Sequence, residues 1–251
     1  MPETVLPADP SGVATLAVMS AAPRYNAWMY EVIAPFLGRR ILEVGSGIGN
    51  LSAHLLAGRP DRLVLTDTDA WYRQRVAERF ADRPEVRVDS LTLPDSGAAP
   101  RFEADQVDTV VALNVVEHIE DDVGALATIR EILTEGRDGG KAGGQAGRAV
   151  VLVPALQAIY GEMDRELRHY RRYSRASLEA AFQAAGLRVE TMFWFNRAGV
   201  LGWWFNGRVR RVRQISLEQI RRFDSMVPLL RWERWLPVPF GQSLIAVGTP
   251  R

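Results

Sequence analysis

The stretch from Arg40 to Asn50, R-I-L-E-V-G-S-G-I-G-N, constrains the fold of this chain more than any other. Ile41, Leu42 and Val44 form an apolar run suited to a buried strand, and three glycines at alternate positions suit a sharp turn that a ligand can approach closely. Leu51 to Leu56 then reads as the start of a helix. Strand, glycine turn and helix N-terminus together make the first βα unit of a nucleotide-binding α/β domain, with backbone N–H groups free to meet polar ligand atoms.

The rest of the chain repeats the alternation. Further strands are predicted at Arg62 to Asp67, Val86 to Asp89, Gln106 to Asn114, Ala149 to Pro154, Leu187 to Asn196 and Gln242 to Gly248. Helical spacing of Trp28, Met29, Val32, Ile33 and Phe36 predicts a helix from Arg24 to Gly38. Others are predicted at Ala70 to Phe80, after the acidic group Glu120 to Asp122, and from Ser174 to Ala185, with Ser174 as N-cap and Gly186 as stop. Such alternation implies a doubly wound, mostly parallel sheet covered on both faces.

At 251 residues, one domain is expected over 24–251. Residues 1–23, rich in Pro, Ala and small polar side chains, are expected as a flexible arm, and Gly136 to Arg148 as a flexible insertion. No apolar run approaches membrane-spanning length. With no cysteine and no basic start followed by an apolar core in Met1 to Pro10, the expected compartment is the cytoplasm. The net charge of +1 argues against a general polyanion binder, so no nucleic-acid partner is expected.

The glycine spacing narrows the ligand. A dinucleotide turn requires G-x-G-x-x-G, whereas Gly45, Gly47 and Gly49 follow G-x-G-x-G, with Asn50 where the last glycine is needed. A ligand without a pyrophosphate but with a ribose diol and an adenine fits better, because Asp67 and Asp89 end the next two strands as hydrogen-bond acceptors.

E-V-G-S-G-I-G-N at Glu43 to Asn50 resembles motif I of the class I S-adenosylmethionine-dependent methyltransferases. N-V-V-E-H-I-E-D-D at Asn114 to Asp122 resembles the strand-four motif of their small-molecule branch. The resemblance implies a Rossmann-like sheet of seven strands with the last antiparallel, and S-adenosyl-L-methionine as cofactor. It also implies roles: Gly45, Ser46 and Gly47 beside the methionyl and ribose portions, Glu43 supporting the turn, and Asp67 with Thr68 at the ribose hydroxyls. Asp89, Ser90 and Leu91 would meet the adenine, Asn114 the sulfonium region, and Tyr25 the methionyl end. Some RNA-modifying relatives place a metal on E-x-x-E-H. Here Asn114 replaces the first Glu and no further His lies near His118 in sequence, so no metal site is expected.

Methyl transfer asks a protein to align the acceptor, exclude water and, where needed, take up a proton. Pro154 to Ser174 resembles the lid found after strand five in several of these enzymes, and His169 is the candidate base by its titration range, with Tyr160 and Tyr170 beside it. Equally open is a purely structural role for His169 and the lid arginines. Between the sixth and seventh strands, 197–240 is expected as a helical cap over the substrate, with Ser216 and Gln219 as a capping box. Its Trp203, Trp204, Trp232 and Trp235, with Arg208, Arg210, Arg211 and Arg213, fit an apolar pocket for a small or lipid-linked acceptor, or peripheral contact with a membrane surface. RNA binding ranks below both, and ordinary core packing is expected to account for most of the tryptophans. The expected activity is methyl transfer to a small-molecule or lipid- or glycan-linked acceptor; the alternative is a catalytically silent member of the same fold.

Overall fold

The computed structural model describes residues 10–135, 147–206, 216–235 and 238–251. Seven strands form one sheet: β1 (Arg40–Val44), β2 (Arg62–Asp67), β3 (Val86–Ser90), β4 (Thr109–Leu113), β5 (Arg148–Pro154), β6 (Leu187–Phe195) and β7 (Ser243–Pro250). Their order is β3-β2-β1-β4-β5-β7-β6. β1 to β5 pair in parallel, as in Leu42 opposite Val64 and Leu42 opposite Val110, while β7 runs antiparallel to both neighbours, with Ala246 opposite Val151 and Met192.

Alternation along each strand divides the core into two layers. Leu42, Val44, Val110 and Val151 face α5 (Ala99–Phe102), α6 (Asp122–Glu135) and α8 (Arg175–Ala184), where Phe102, Leu126, Ile129 and Phe182 are fully buried. Ile41, Leu63, Val111 and Val150 face α2 (Pro23–Ile33), α3 (Ser52–Ala57) and α4 (Ala70–Arg79), packing on Trp28, Ile33, Leu55 and Val76. Each such side chain taken from water contributes about 1.5–3 kcal/mol before entropy is subtracted. Glu43 shares the parity of Ile41 and so enters the second layer as a buried carboxyl.

Two helix starts are set by side chains anticipated in the sequence. Ser174 accepts from the Ser177 N–H at 3.0 Å, and Ser216 accepts from the Gln219 N–H at 3.2 Å while Gln219 Oε1 accepts the Ser216 N–H at 3.0 Å. The second opens α10 (Leu217–Leu230), which with α9 (Gly199–Trp204) forms the described part of the cap. A short helix of the lid, α7 (Glu162–Glu166), follows β5.

The arm does not stay loose throughout. Pro10–Ser20 is a helix, α1. It is docked through its own carbonyls: Asn50 Nδ2 donates to Leu16 O at 3.1 Å and Asn26 Nδ2 donates to Met19 O at 3.0 Å. The composition that reads as flexible is compatible with a helix once distant side chains cap and cover it. Of the expected insertion 136–148, residues 136–146 lie outside the described residues, and Arg148 opens β5.

Candidate active site

A cavity of about 1040 Å³ opens at the carboxyl ends of the parallel strands, roofed by α1, the lid and the cap. At its β1 end, Gly45 and Gly47 have φ of 70° and 52°, the left-handed region that side-chain-bearing residues rarely adopt. A Cβ on Gly45 would lie 2.7 Å from Val115 Cγ2, and one on Gly47 2.7 Å from Leu16 Cδ1. The turn thus brings bare backbone to the cavity wall. Its shape is held by the Ser46 N–H donating to Thr66 O at 2.9 Å and the Gly49 N–H donating to Ser46 O at 2.9 Å.

Asp67, at the end of β2, accepts the Gly47 N–H at 2.9 Å on one carboxylate oxygen and the Asp69 N–H at 3.0 Å on the other. Each oxygen keeps a lone pair for a ligand hydroxyl. Burial raises its carboxyl above the ordinary range, against the pull of these N–H groups. Glu43 is deeper: Ser52 Oγ donates to its Oε2 at 2.5 Å, and burial, with Asp67 adding to it, pushes the carboxyl up to about 8. Glu43 therefore braces α3 against the turn as a largely protonated acid at neutral pH.

Tyr25, Thr68, Leu91 and Asn114 also line the cavity. Asn114 takes a left-handed φ of 55°, which asparagine tolerates better than most residues, and so turns the chain sharply after β4. Burial pushes the Tyr25 hydroxyl up to about 12, although it is hydrogen-bonded to the Asn196 side chain. Asp89 and Ser90 are not among the lining residues. Arg87, two positions earlier on the same strand face, takes the Asp89 carboxylate in an ion pair, and the Ser90 N–H donates to Asp89 Oδ1 at 2.7 Å. Buried Asp105 holds Arg87 in turn. Of the three residues expected at the adenine, only Leu91 stands at the cavity.

At the opposite end the lid forms a buried polar knot. His169 Nδ1 lies 2.9 Å from Asp164 Oδ1, which also accepts Arg172 Nε at 2.8 Å; Asp164 Oδ2 accepts the Gly161 N–H at 2.9 Å and Trp203 Nε1 at 3.2 Å. Burial alone would raise the Asp164 carboxyl, but His169, Arg172 and the Gly161 N–H hold it below the usual range. With Nδ1 committed to Asp164, Nε2 is the nitrogen with which His169 can act. Tyr170 lines the cavity and is 54% exposed. Tyr160 does not line it: its hydroxyl donates to His169 O at 2.7 Å, placing it behind the histidine.

Glu117 and His118 line the cavity beside the lid. Glu117 is fully buried, neither carboxylate oxygen has a hydrogen-bond partner among the described residues, and burial pushes its carboxyl up to about 8. His118 is exposed, and its ring centroid lies 4.7 Å from that of His169. A histidine absent from the neighbourhood in sequence is thus supplied by the lid, because the Tyr170 N–H donates to Glu117 O at 2.8 Å and ties the two segments.

The cap tryptophans correct the expectation of ordinary core packing. Trp203 turns inward onto Asp164, with Arg172 4.7 Å from its ring centre, but Trp204, Trp232 and Trp235 are 47%, 68% and 69% exposed. The cause for the latter two is local: buried Glu233 accepts the Arg197 N–H at 2.6 Å, and this inward anchor leaves its neighbours on the outer side. Arg208, Arg210, Arg211 and Arg213 lie outside the described residues.

Leu16, Met19 and Asn196 line the cavity without having been expected there, whereas Trp203 stands on the pocket wall as its place in the expected cap implies. Asn196 carried a usable signal, an asparagine ending a predicted strand, as at Asn114. Its φ is 57°, and its Nδ2 donates to Gln242 Oε1 at 2.7 Å, joining the ends of β6 and β7. Leu16 and Met19 carried none, since their placement depends on how α1 docks.

A family model described as a methyltransferase domain matches residues 21–192. No curated protein matches the chain in sequence. Among solved structures, the chain is similar to one from a complex between the Haloferax volcanii Trm112 methyltransferase activator and the putative methyltransferase, at 18% identity, covering 99% of this chain and 100% of that one, with a TM-score of 0.62. It is also similar to a putative sarcosine dimethylglycine methyltransferase from Galdieria sulphuraria, at 13% identity, 90% and 84% coverage and a TM-score of 0.55. A TehB-like SAM-dependent methyltransferase from Corynebacterium glutamicum gives 18%, 90%, 87% and 0.50. At these identities the structures establish the shared fold.

Proposed function

Because the chain belongs to the methyltransferase-domain family, whose donor is S-adenosyl-L-methionine, we propose that it transfers the methyl group to a small-molecule or lipid- or glycan-linked acceptor entering between lid and cap. When bound, the donor supplies a methyl group already activated by a positively charged sulfur. The residues present fit it: bare backbone at Gly45 and Gly47, and a two-oxygen acceptor at Asp67. The chain's own task is then alignment and exclusion of water.

The observation that carries the acceptor reading is the extent of the cavity. Its 1040 Å³ continues past the glycine turn to the lid and cap, where Met163, Trp203, Ile220 and Phe223 add apolar surface beside the polar groups of the lid. Leu201, Trp204, Phe205, Leu229 and Trp232 of the cap are exposed large apolar residues, which supports an acceptor with a hydrocarbon portion delivered from a membrane surface. No helix among the described residues is long and apolar enough to cross a membrane.

Titration calorimetry with S-adenosylmethionine and S-adenosylhomocysteine tests the donor site, and transfer of a labelled methyl group into aqueous and solvent-extractable pools tests the acceptor. Label in the extractable pool, with liposome co-sedimentation reduced by Trp204→Ser and Trp232→Ser, is the expected result. Label confined to water-soluble products would overturn the lipid-linked reading, and absence of binding by either nucleoside would overturn the donor site.

A further inference from the structure

We propose that Glu117, His118 and His169 hold a divalent transition-metal ion at the acceptor end of the cavity, with coordination positions left open for an oxygen donor. One ligand atom from each residue lies within 4.8 Å of the others. An ion with ligand distances of about 2.0–2.2 Å sets tetrahedral ligand atoms about 3.4 Å apart, so a small inward movement of exposed His118 completes the site.

Two independent features point to a cation here. The first is Glu117, fully buried, with both oxygens lacking a hydrogen-bond partner among the described residues. An unpartnered carboxyl at that depth is costly, and the nearby Arg172 guanidinium acts on it only through space. A bound cation removes the deficit. The second is the Asp164–His169 pair. Metal-bound histidines commonly donate their second ring nitrogen to a carboxylate, which fixes the tautomer and turns the other nitrogen to the ion. Asp164 stands 2.9 Å from His169 Nδ1 and is itself held by Arg172 and the Gly161 N–H.

The donor set selects the metal class. Two imidazoles and one carboxylate suit Zn²⁺, Fe²⁺, Co²⁺ or Mn²⁺ better than Ca²⁺ or Mg²⁺, which favour all-oxygen shells. Three protein ligands leave at least one position for an acceptor hydroxyl. His169 then serves as a ligand in place of the proton acceptor expected from its titration range. Binding of the ion stands on the side chains alone, whereas its use in catalysis rests on the methyl-transfer reading.

The test is titration of untagged, chelator-stripped full-length protein with Co²⁺, followed by visible absorption, with Zn²⁺ competition for affinity. The expected result is one ion per chain and a spectrum altered by acetohydroxamate, an oxygen-donor probe. Glu117→Gln and His118→Ala should each weaken binding more than about tenfold, while His54→Ala, which alters the chain's remaining histidine, should not. His118 is exposed, so its replacement spares the core. Failure of the parent protein to bind, or unchanged affinity in both variants, would overturn the site. Calorimetry with S-adenosylmethionine on the same samples separates the two readings: donor binding without ion uptake removes the metal site alone, and ion uptake without donor binding supports the metal site while removing the methyl-donor reading.

Discussion

Asp224 Oδ1 accepts the backbone N–H of Tyr25 at 2.8 Å, joining α10 of the cap to the first turn of α2. This satisfies one of the N–H groups that every helix start leaves without a partner, and it fixes a residue of the cavity wall from the far end of the chain. Asp224→Ala is expected to cost about 1–3 kcal/mol of stability and to weaken donor binding. Urea unfolding and calorimetry check this; a loss below about 0.5 kcal/mol, the usual range of neutral surface changes, would mean that the cap is held by other contacts.

Asp67→Ala removes the acceptor that meets both the Gly47 and Asp69 N–H groups. Loss of a charged acceptor costs about 1.5–3 kcal/mol, so S-adenosylmethionine should bind at least about tenfold more weakly. Unchanged affinity by calorimetry would remove Asp67 from the donor site.

Stability should fall as pH rises from about 4.5 to about 8, because burial lifts the folded Glu43 carboxyl from 4.5 to about 8. Below that window both folded and unfolded chains hold the proton, and within it only the folded chain does, so each increment of pH favours unfolding; above it the slope vanishes. Glu43→Gln keeps an oxygen for Ser52 and should flatten the dependence. Melting temperatures at about pH 5.5 and about pH 8 are the measurement, and an identical slope in parent and variant would contradict the assignment.

Arg172→Met leaves Asp164 buried with much of its compensation gone, since both side chains are fully buried and Nε donates at 2.8 Å. The expected cost is about 3–5 kcal/mol. Adding Asp164→Asn to that variant should recover part of the loss, because it withdraws the stranded charge. A double-mutant cycle showing simple additivity would argue against coupling between the two.

The glycine turn was legible because its requirement is local. Gly45 and Gly47 take positive φ within a few residues of a strand end, and Asp67 follows one βα unit later, so a short window of sequence carries both the turn and the carboxylate beside it. Asp89 occupies the same kind of strand-end position, yet its carboxylate is taken by Arg87, which answers to Asp105 beyond the strand. The Arg-x-Asp spacing on one face of β3 announces half of that arrangement, whereas Asp105, which fixes Arg87, lies outside the strand. The lid end of the cavity was least legible: His118 and His169 meet only because the lid folds back onto Glu117, and Tyr160 stands behind the histidine because its hydroxyl found a carbonyl. Trp232 and Trp235 were expected as core by ordinary packing, whereas the inward anchor at Glu233 between them leaves both on the outer side.

The place of β7 has a consequence for synthesis. It lies between β5 and β6 and is the partner to which β6 is hydrogen-bonded, yet it comes after all the other strands in chain order. As the chain leaves the ribosome, β1 to β5 can assemble in sequence, but β6 must wait as an unpaired segment until residues 243–250 emerge and slide between it and β5. The cavity wall formed by Asn196, Gln242 and Ser243, at the ends of β6 and β7, is therefore completed after the wall formed by the glycine turn and Asp67, so the cavity closes only with the last strand.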